Sequence, residues 1–347
     1  MAGVIPGAVT LVGLDGEWLE PYVTGLAVDT SDEQRAMRPD TVFDLASLTK
    51  VVATLPAALL LAQDGVADLQ SPLVNVFDEW QSDPSKADIT AMHLLTHTSG
   101  LPAWCDLHSH GWSRRRIVEE VLGTPLEAPP GEACVYSDLG FILLGEWLER
   151  LAGKTLDRWL ADRVYGPLRM QDTGFLPGEE LRPRLAACEY REQLGRHQLG
   201  EVNDDNAQAM GGVSGHAGLF STAGDLARYL DACWLPAATD RPQLLAPVAA
   251  RAALRDRTAH LGAHRGLGWA LKNDPWDSSG LLSSARTFGH TGYTGTSLVV
   301  DPELGLGIIL LTNRVHKSLG PGIVTLRRRF HNVVIAAVVE DGGTGRT

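Results

Sequence analysis

Ser47-Leu48-Thr49-Lys50 sets a hydroxyl and an amine three residues apart, a spacing that puts both on one face of a helix. A serine hydroxyl is a poor nucleophile until a neighbour takes its proton, and a lysine whose pKa is lowered by desolvation can do that. The start of a helix also turns free backbone N–H groups toward the serine, ready to stabilise an oxyanion. Alone, the pattern equally describes a capping serine beside a solvated lysine. Two further segments give it weight: Tyr136-Ser137-Asp138, and His290-Thr291-Gly292.

Each segment sits where an element begins or ends. Val51 to Gln63 is apolar nearly all round, as a helix buried on every side must be, and Gly65 ends it. Pro129-Pro130-Gly131 forces a loop, after which Asp138 opens a helix whose broad apolar face carries Leu139, Ile142, Leu143, Trp147 and Leu151. Val9 to Val12, the Asp15-Gly16 turn and Trp18 to Ala27 predict a hairpin; Thr296 to Val300, Pro302-Glu303-Leu304-Gly305 and Leu306 to Leu311 predict another. His290-Thr291-Gly292 enters a strand just before the second hairpin. A last helix is expected from about Ile323 to Val339, before a glycine-rich tail from Gly342. Strand-rich ends around a helix-rich middle predict an α+β fold: one antiparallel sheet from both termini, flanked by helices, with a helical lobe inserted. Residues 1–46 and 262–347 would form the sheet domain and 47–261 the lobe, with the active site between them.

In this order, S-x-x-K, Y-S-D and H-T-G resemble the three signature elements of the serine β-lactamase and penicillin-binding protein superfamily. The resemblance is to the class C β-lactamase-like branch, with its D,D-peptidases, D-aminopeptidases and family VIII carboxylesterases. It extends to Ile89-Thr90 through Pro102 and to Gly211-Gly212-Val213-Ser214-Gly215-His216-Ala217-Gly218, and covers about residues 5 to 335. It implies a β-lactamase/transpeptidase-like fold and no cofactor. It also implies Ser47 as acylated nucleophile, Lys50 as its proton partner, and Tyr136 as general base and then general acid. The oxyanion hole would be the N–H groups of Ser47 and Tyr293, the latter following Gly292. His290 would complete the hydrogen-bond network around Tyr136, and Thr291 would face the substrate.

The chain departs from the pattern at three places. Asp138 stands where the family usually has asparagine, so an acceptor replaces a donor; beside Lys50 its charge would raise the lysine pKa, whereas facing the pocket it would bind a substrate ammonium group. His290 replaces the lysine of many β-lactamases and removes a fixed charge that could attract a substrate carboxylate. This argues against penicillinase activity and places a carboxylesterase-like reaction on a small ester or amide first. A D-amino-acid peptidase, a D,D-carboxypeptidase or a weak β-lactamase is the alternative, and an inactive penicillin- or peptide-binding module the alternative of another class. Finally, the family generally has a helix ahead of the first strand. The sequence as written has no leader, which predicts a cytoplasmic protein; a longer natural chain with a signal peptide would be periplasmic or secreted.

Composition narrows the rest. With 347 residues, 44% hydrophobic and 21% charged, the chain can bury a sizeable core. Thirty basic against 42 acidic side chains give a net charge of −12, which repels nucleic acid and anionic lipid and leaves a small molecule as the expected partner. The strongest apolar run, Val51 to Ala62, is bounded by Lys50 and Asp64 and is expected to be buried, not membrane-spanning. Cys105, Cys134, Cys188 and Cys233 are scattered and are read as free thiols. His93 and His97, with His108 and His110, make a metal hydrolase the chemical rival, but His93-Leu94-Leu95-Thr96-His97 lacks the glutamate of H-E-x-x-H, and no metal is expected. Gly153-Lys154-Thr155 has Leu148 where a phosphate loop needs glycine, Ser214 is not in a G-x-S-x-G elbow, and the triplets Arg114 to Arg116 and Arg327 to Arg329 read as solvated helix faces. Trp104 is a candidate to line the acyl pocket.

Overall fold

The N-terminal strand Gly7–Leu14 pairs antiparallel with the C-terminal strand Leu306–Thr312, from Ala8 opposite Thr312 to Leu14 opposite Leu306. In the computed structural model, which describes residues 5–235, 244–317 and 322–342, this pairing closes a sheet made from both ends of the chain. Its order is Ala270–Leu271, Phe288–Thr291, Ser297–Asp301, Leu306–Thr312, Gly7–Leu14, Tyr22–Asp29 and Gln34–Ala36, with Glu17–Trp18 paired to the first strand. Leu306–Thr312 is buried along its whole length, which is why it reads as continuous Leu and Ile instead of alternating. One face is covered by the C-terminal helix Ile323–Gly342, through Ile335 against Val299 and Ile308. The other receives helix Ala223–Cys233. Both predicted hairpins are present, and residues 343–347 of the tail lie outside the described residues.

The expected helical lobe is less uniform than its periodicity implies. Phe43–Asp44, Leu219–Ser221 and Gly174–Phe175 form a small three-stranded sheet, and Tyr190–Arg191 pairs with Arg196–His197. These strands are two or three residues long, too short to leave a period in sequence. Helix Asp138–Ala152 starts at the expected residue, capped by Ser137, whose hydroxyl accepts the Gly140 N–H at 3.1 Å. The Ser47 region also differs: Ala46–Leu48 is a 3₁₀ turn, Lys50–Thr54 a π-helical turn, and only Leu55–Gln63 a regular α-helix. The wide turn re-aims carbonyls outward, and buried donors meet them: Tyr229 to Val51 O at 2.5 Å and Tyr165 to Val52 O at 3.3 Å. Ala46–Gln63 is long and apolar enough to cross a membrane by composition, more so than the sequence reading allowed, because Lys50 is its one charge; 83% of it is buried inside the fold.

Candidate active site

The Ser47 turn is held by its neighbours, not by its own helix. Leu45 donates its N–H to Leu219 O at 2.9 Å. The hydroxyls of Thr294 and Thr296, just past the strand Phe288–Thr291, donate to Asp44 O at 2.8 Å and Leu45 O at 3.0 Å. Gly292 is required there, since a Cβ at this position would run into Leu45 O and Thr296 Oγ1. Ala46, directly before the serine, sits at φ 47°, a left-handed conformation that costs a non-glycine residue energy and persists only when the surroundings impose it. The turn has Leu45 at its N-cap and no side-chain cap.

Lys50 Nζ lies 3.1 Å from Ser47 Oγ, 2.6 Å from Asp138 Oδ1 and 3.1 Å from His216 O, so all three of its protons have acceptors. The residue before His216 is Gly215, where a Cβ would run into Phe141 O and the Gly145 backbone of the Asp138–Ala152 helix. The Lys50 side chain is wholly buried and that of Asp138 20% exposed. Burial works against the ammonium, but the charge of Asp138, followed by that of Tyr136, outweighs it and leaves Lys50 above its ordinary value. Asp138 therefore stands beside Lys50, the first of the two placements open in the sequence, while also lining the cavity.

Tyr136 is gripped by rings. His97 lies 4.5 Å away centroid to centroid on one contact and Trp276 stacks at 5.4 Å on another. Lys50 Nζ is 5.0 Å and the Arg265 guanidinium 5.5 Å from its ring. The expectation for His290 is corrected here. Its ring is 6.0 Å from that of Tyr136 and tilted by 41°, and its Nδ1 bonds Thr291 O at 2.9 Å, with no hydrogen bond between the two side chains. Burial, then Lys50 and Arg265, push His290 well below the usual imidazole range; burial, then Arg265 and Lys50, do the same to His97. Both are neutral at pH 7.

The metal reading of His93 and His97 has a structural replacement. His93 Nδ1 accepts the Thr90 N–H at 3.1 Å in a capping box, and His97 Nδ1 accepts the Ser137 N–H at 3.0 Å. Among the described residues no group of three or more His, Cys, Asp or Glu is placed to hold a metal ion. The four cysteines are free thiols.

Ser47, Tyr136, Asp138, His290, Thr291, Gly292 and Tyr293 all face one cavity of about 580 Å³, which Trp104 also lines. Several residues that sequence reasoning passed over line it too. Arg265 is buried and paired with Asp274 at 3.2 Å. Arg314 lies 5.3 Å from the Tyr293 ring. Arg327, read from sequence as part of a solvated triplet, is instead buried, donating to Gly292 O at 2.7 Å and Thr296 O at 2.8 Å. Burial, then Arg314, push it down to about 9, so it remains cationic at pH 7. No local pattern marks these arginines, because what makes them part of the site is contact with strands far away in sequence.

An S-x-x-K pair and a tyrosine on the rim of an antiparallel sheet built from both termini define a β-lactamase-type serine hydrolase. Residues 1–328 match the Beta-lactamase family, and the chain belongs to it. It is 32% identical over 351 residues to an N-acetylmuramyl-L-alanine amidase of Bacillus subtilis (strain 168), covering 91% of this chain and 79% of that one. It is 31% identical over 307 residues to a putative D-alanyl-D-alanine carboxypeptidase of Escherichia coli (strain K12), covering 80% and 70%. A class C β-lactamase from Rhodobacter sphaeroides has the same fold, with a TM-score of 0.74 at 20% identity over 95% and 94% of the two chains. The recognition, fold and hydrolase class expected from the three motifs are thus borne out.

Proposed function

We propose that the protein cleaves a small amide or peptide carrying a carboxylate, through an acyl-enzyme at Ser47. The observation that carries the reading is the Lys50 ammonium, buried 3.1 Å from Ser47 Oγ and 2.6 Å from Asp138, two residues that line a cavity also bearing Arg314 and Arg327. Ser47 Oγ attacks the carbonyl carbon as its proton passes to the phenolate oxygen of Tyr136, which becomes the neutral phenol. Held as a cation, Lys50 acts electrostatically, favouring the anionic states of Ser47 and Tyr136 as they form. The N–H groups of Ser47 and Tyr293 take the developing oxyanion. The leaving amine collects the proton from Tyr136, and water then releases the acyl group by the reverse sequence. No cofactor enters this chemistry.

The neutral His290 supplies no charge, as its identity implied, but Arg314 and Arg327 supply two within the same cavity. They move the preference from a plain short ester toward a substrate with a free carboxylate, in line with the names of the amidase and carboxypeptidase relatives. Esters remain a second reading, favoured by Trp104 and Trp276, which are 51% and 61% exposed and offer apolar faces to an acyl chain. Intact mass spectrometry after incubation with a D-alanyl-D-alanine peptide, p-nitrophenyl butyrate and penicillin G tests both, with Ser47→Ala as control. An adduct from the peptide on the wild type and none on Ser47→Ala is expected. Hydrolysis by Ser47→Ala at the wild-type rate would remove Ser47 as nucleophile.

A further inference from the structure

One buried carboxylate, that of Asp44, anchors the residue before Ser47 and has no part in the chemistry above. Asp44 Oδ1 accepts the Ala46 N–H at 2.7 Å and Oδ2 accepts the Asn203 N–H at 2.7 Å. Its own carbonyl receives the Thr294 hydroxyl at 2.8 Å. The residue after Asn203 is Asp204, which pairs with His216 at 2.9 Å, and His216 O is the third acceptor of Lys50. Asp44 thus joins the nucleophile turn, the segment behind Lys50 and the strand end that presents Tyr293.

We propose that Asp44 is a positioning residue whose carboxylate holds Ala46 in its left-handed conformation and so aims Ser47 at Lys50, making activity depend on Asp44 being ionised. This rests on the reading of Ser47 as nucleophile. A carboxylate can accept both N–H bonds at once, whereas a carboxylic acid has a proton on one oxygen and serves one of them poorly. Removing one anchor lets a strained turn relax, and a misplacement of about 1 Å at a reacting atom costs on the order of 100-fold in rate.

The state of the group lies within reach of experiment. Burial raises Asp44 from 3.8 to about 6, against the opposing pull of the Asn203 and Ala46 N–H groups. The titratable groups facing it are Asp204, whose charge adds to the upward push, and the Cys188 thiol, itself held up by burial and by Asp44. From the turn after Phe288–Thr291, the neutral Thr294 bonds the Asp44 carbonyl. Because His97 and His290 are driven well below the imidazole range, a loss of activity near pH 6 is not theirs. Stability runs the opposite way. A carboxyl whose folded pKa is raised adds stability below 3.8 that is lost as pH climbs through about 6. The contribution of Asp44 to stability therefore falls over the range in which the protein becomes active, while the lowered His97 and His290 act in the opposite direction.

The test is Asp44→Asn, a near-isostere with one acceptor where the carboxylate has two, assayed from pH 4.5 to 8.5. Expected are a fall in kcat of about 100-fold at pH 7.5 with KM little changed, loss of the rising limb near pH 6, and a melting temperature that gains on wild type as pH rises. Ala46→Gly, which accepts φ 47° without strain, should restore part of kcat in the Asp44→Asn background. A rising limb that stays in place in Asp44→Asn overturns the proposal, as does an equal loss at all pH values. Should Asp44→Asn not fold, Ala46→Gly alone decides: its rising limb should flatten, and an unchanged limb refutes the role. Fluorophosphonate labelling of the wild type is the control. Failure to label Ser47 refutes the nucleophile, whereas labelling with an unresponsive limb refutes Asp44 alone.

Discussion

Replacing Asp138 with asparagine removes the counter-charge of a wholly buried ammonium while keeping the side chain's shape. At 2.6 Å and an effective dielectric of about 20, the gross attraction is about 6 kcal/mol. The 20% exposure of Asp138 screens part of this, and the desolvation of Lys50 offsets more. Deleting one partner of a buried pair typically costs about 3–5 kcal/mol. The asparagine oxygen can still accept from Nζ and Lys50 can shed its proton, so we expect the lower end, about 3 kcal/mol. Lys50 lies above its ordinary value of 10.5, so its contribution to stability is complete below 10.5 and lost only as pH rises through the higher folded value. The deficit of Asp138→Asn should therefore be largest near pH 7 and shrink toward pH 9.5 in urea unfolding, because the wild type is flat over this range while the variant's Lys50, its folded value lowered by unopposed burial, sheds its proton in the folded state first. In the same variant burial of Lys50 is no longer opposed by Asp138, its pKa falls, and the basic limb of kcat/KM should move to lower pH. Preference for free-amine substrates should not change, since Lys50 already engages the carboxylate. Unfolding free energy within about 0.5 kcal/mol of wild type, together with an unmoved basic limb, would refute the assignment of Lys50 as a cation set by Asp138.

Gly292→Ala should abolish acylation and lower the melting temperature, because its Cβ meets the backbone carbonyl of Leu45 beside the nucleophile; wild-type rates would show that the strand end does not abut the Ser47 turn. EDTA should leave activity unchanged, and loss of activity restored by zinc would revive a metal at His93 and His97. Arg314→Ala should raise KM for a D-alanyl-D-alanine peptide by about tenfold while leaving p-nitrophenyl butyrate unaffected, a loss of about 1.4 kcal/mol of carboxylate binding; equal effects on both substrates would contradict the carboxylate reading.

The parts of this protein governed by neighbours in sequence were legible from it. The three-residue spacing of Ser47 and Lys50 is a helical relation, and the turn retains it even as 3₁₀ and π geometry. Ser137 before Asp138 is a local cap, and the Leu- and Ile-rich run ending at Leu311 declares a strand covered on both sides. What the side chains are doing was another matter. Whether Asp138 met Lys50 or the pocket depended on how the helix starting at Asp138 packs against the turn at Lys50, 88 residues earlier. That His290 does not bond Tyr136, that Arg327 is buried against Gly292 instead of solvated, and that Asp44 anchors both Ala46 and Asn203 depend on the same kind of packing. Charge state and orientation are set by distances of a few ångströms between groups tens to hundreds of residues apart. Electrostatic energy falls with distance and grows with burial, and both quantities exist only once the chain has folded.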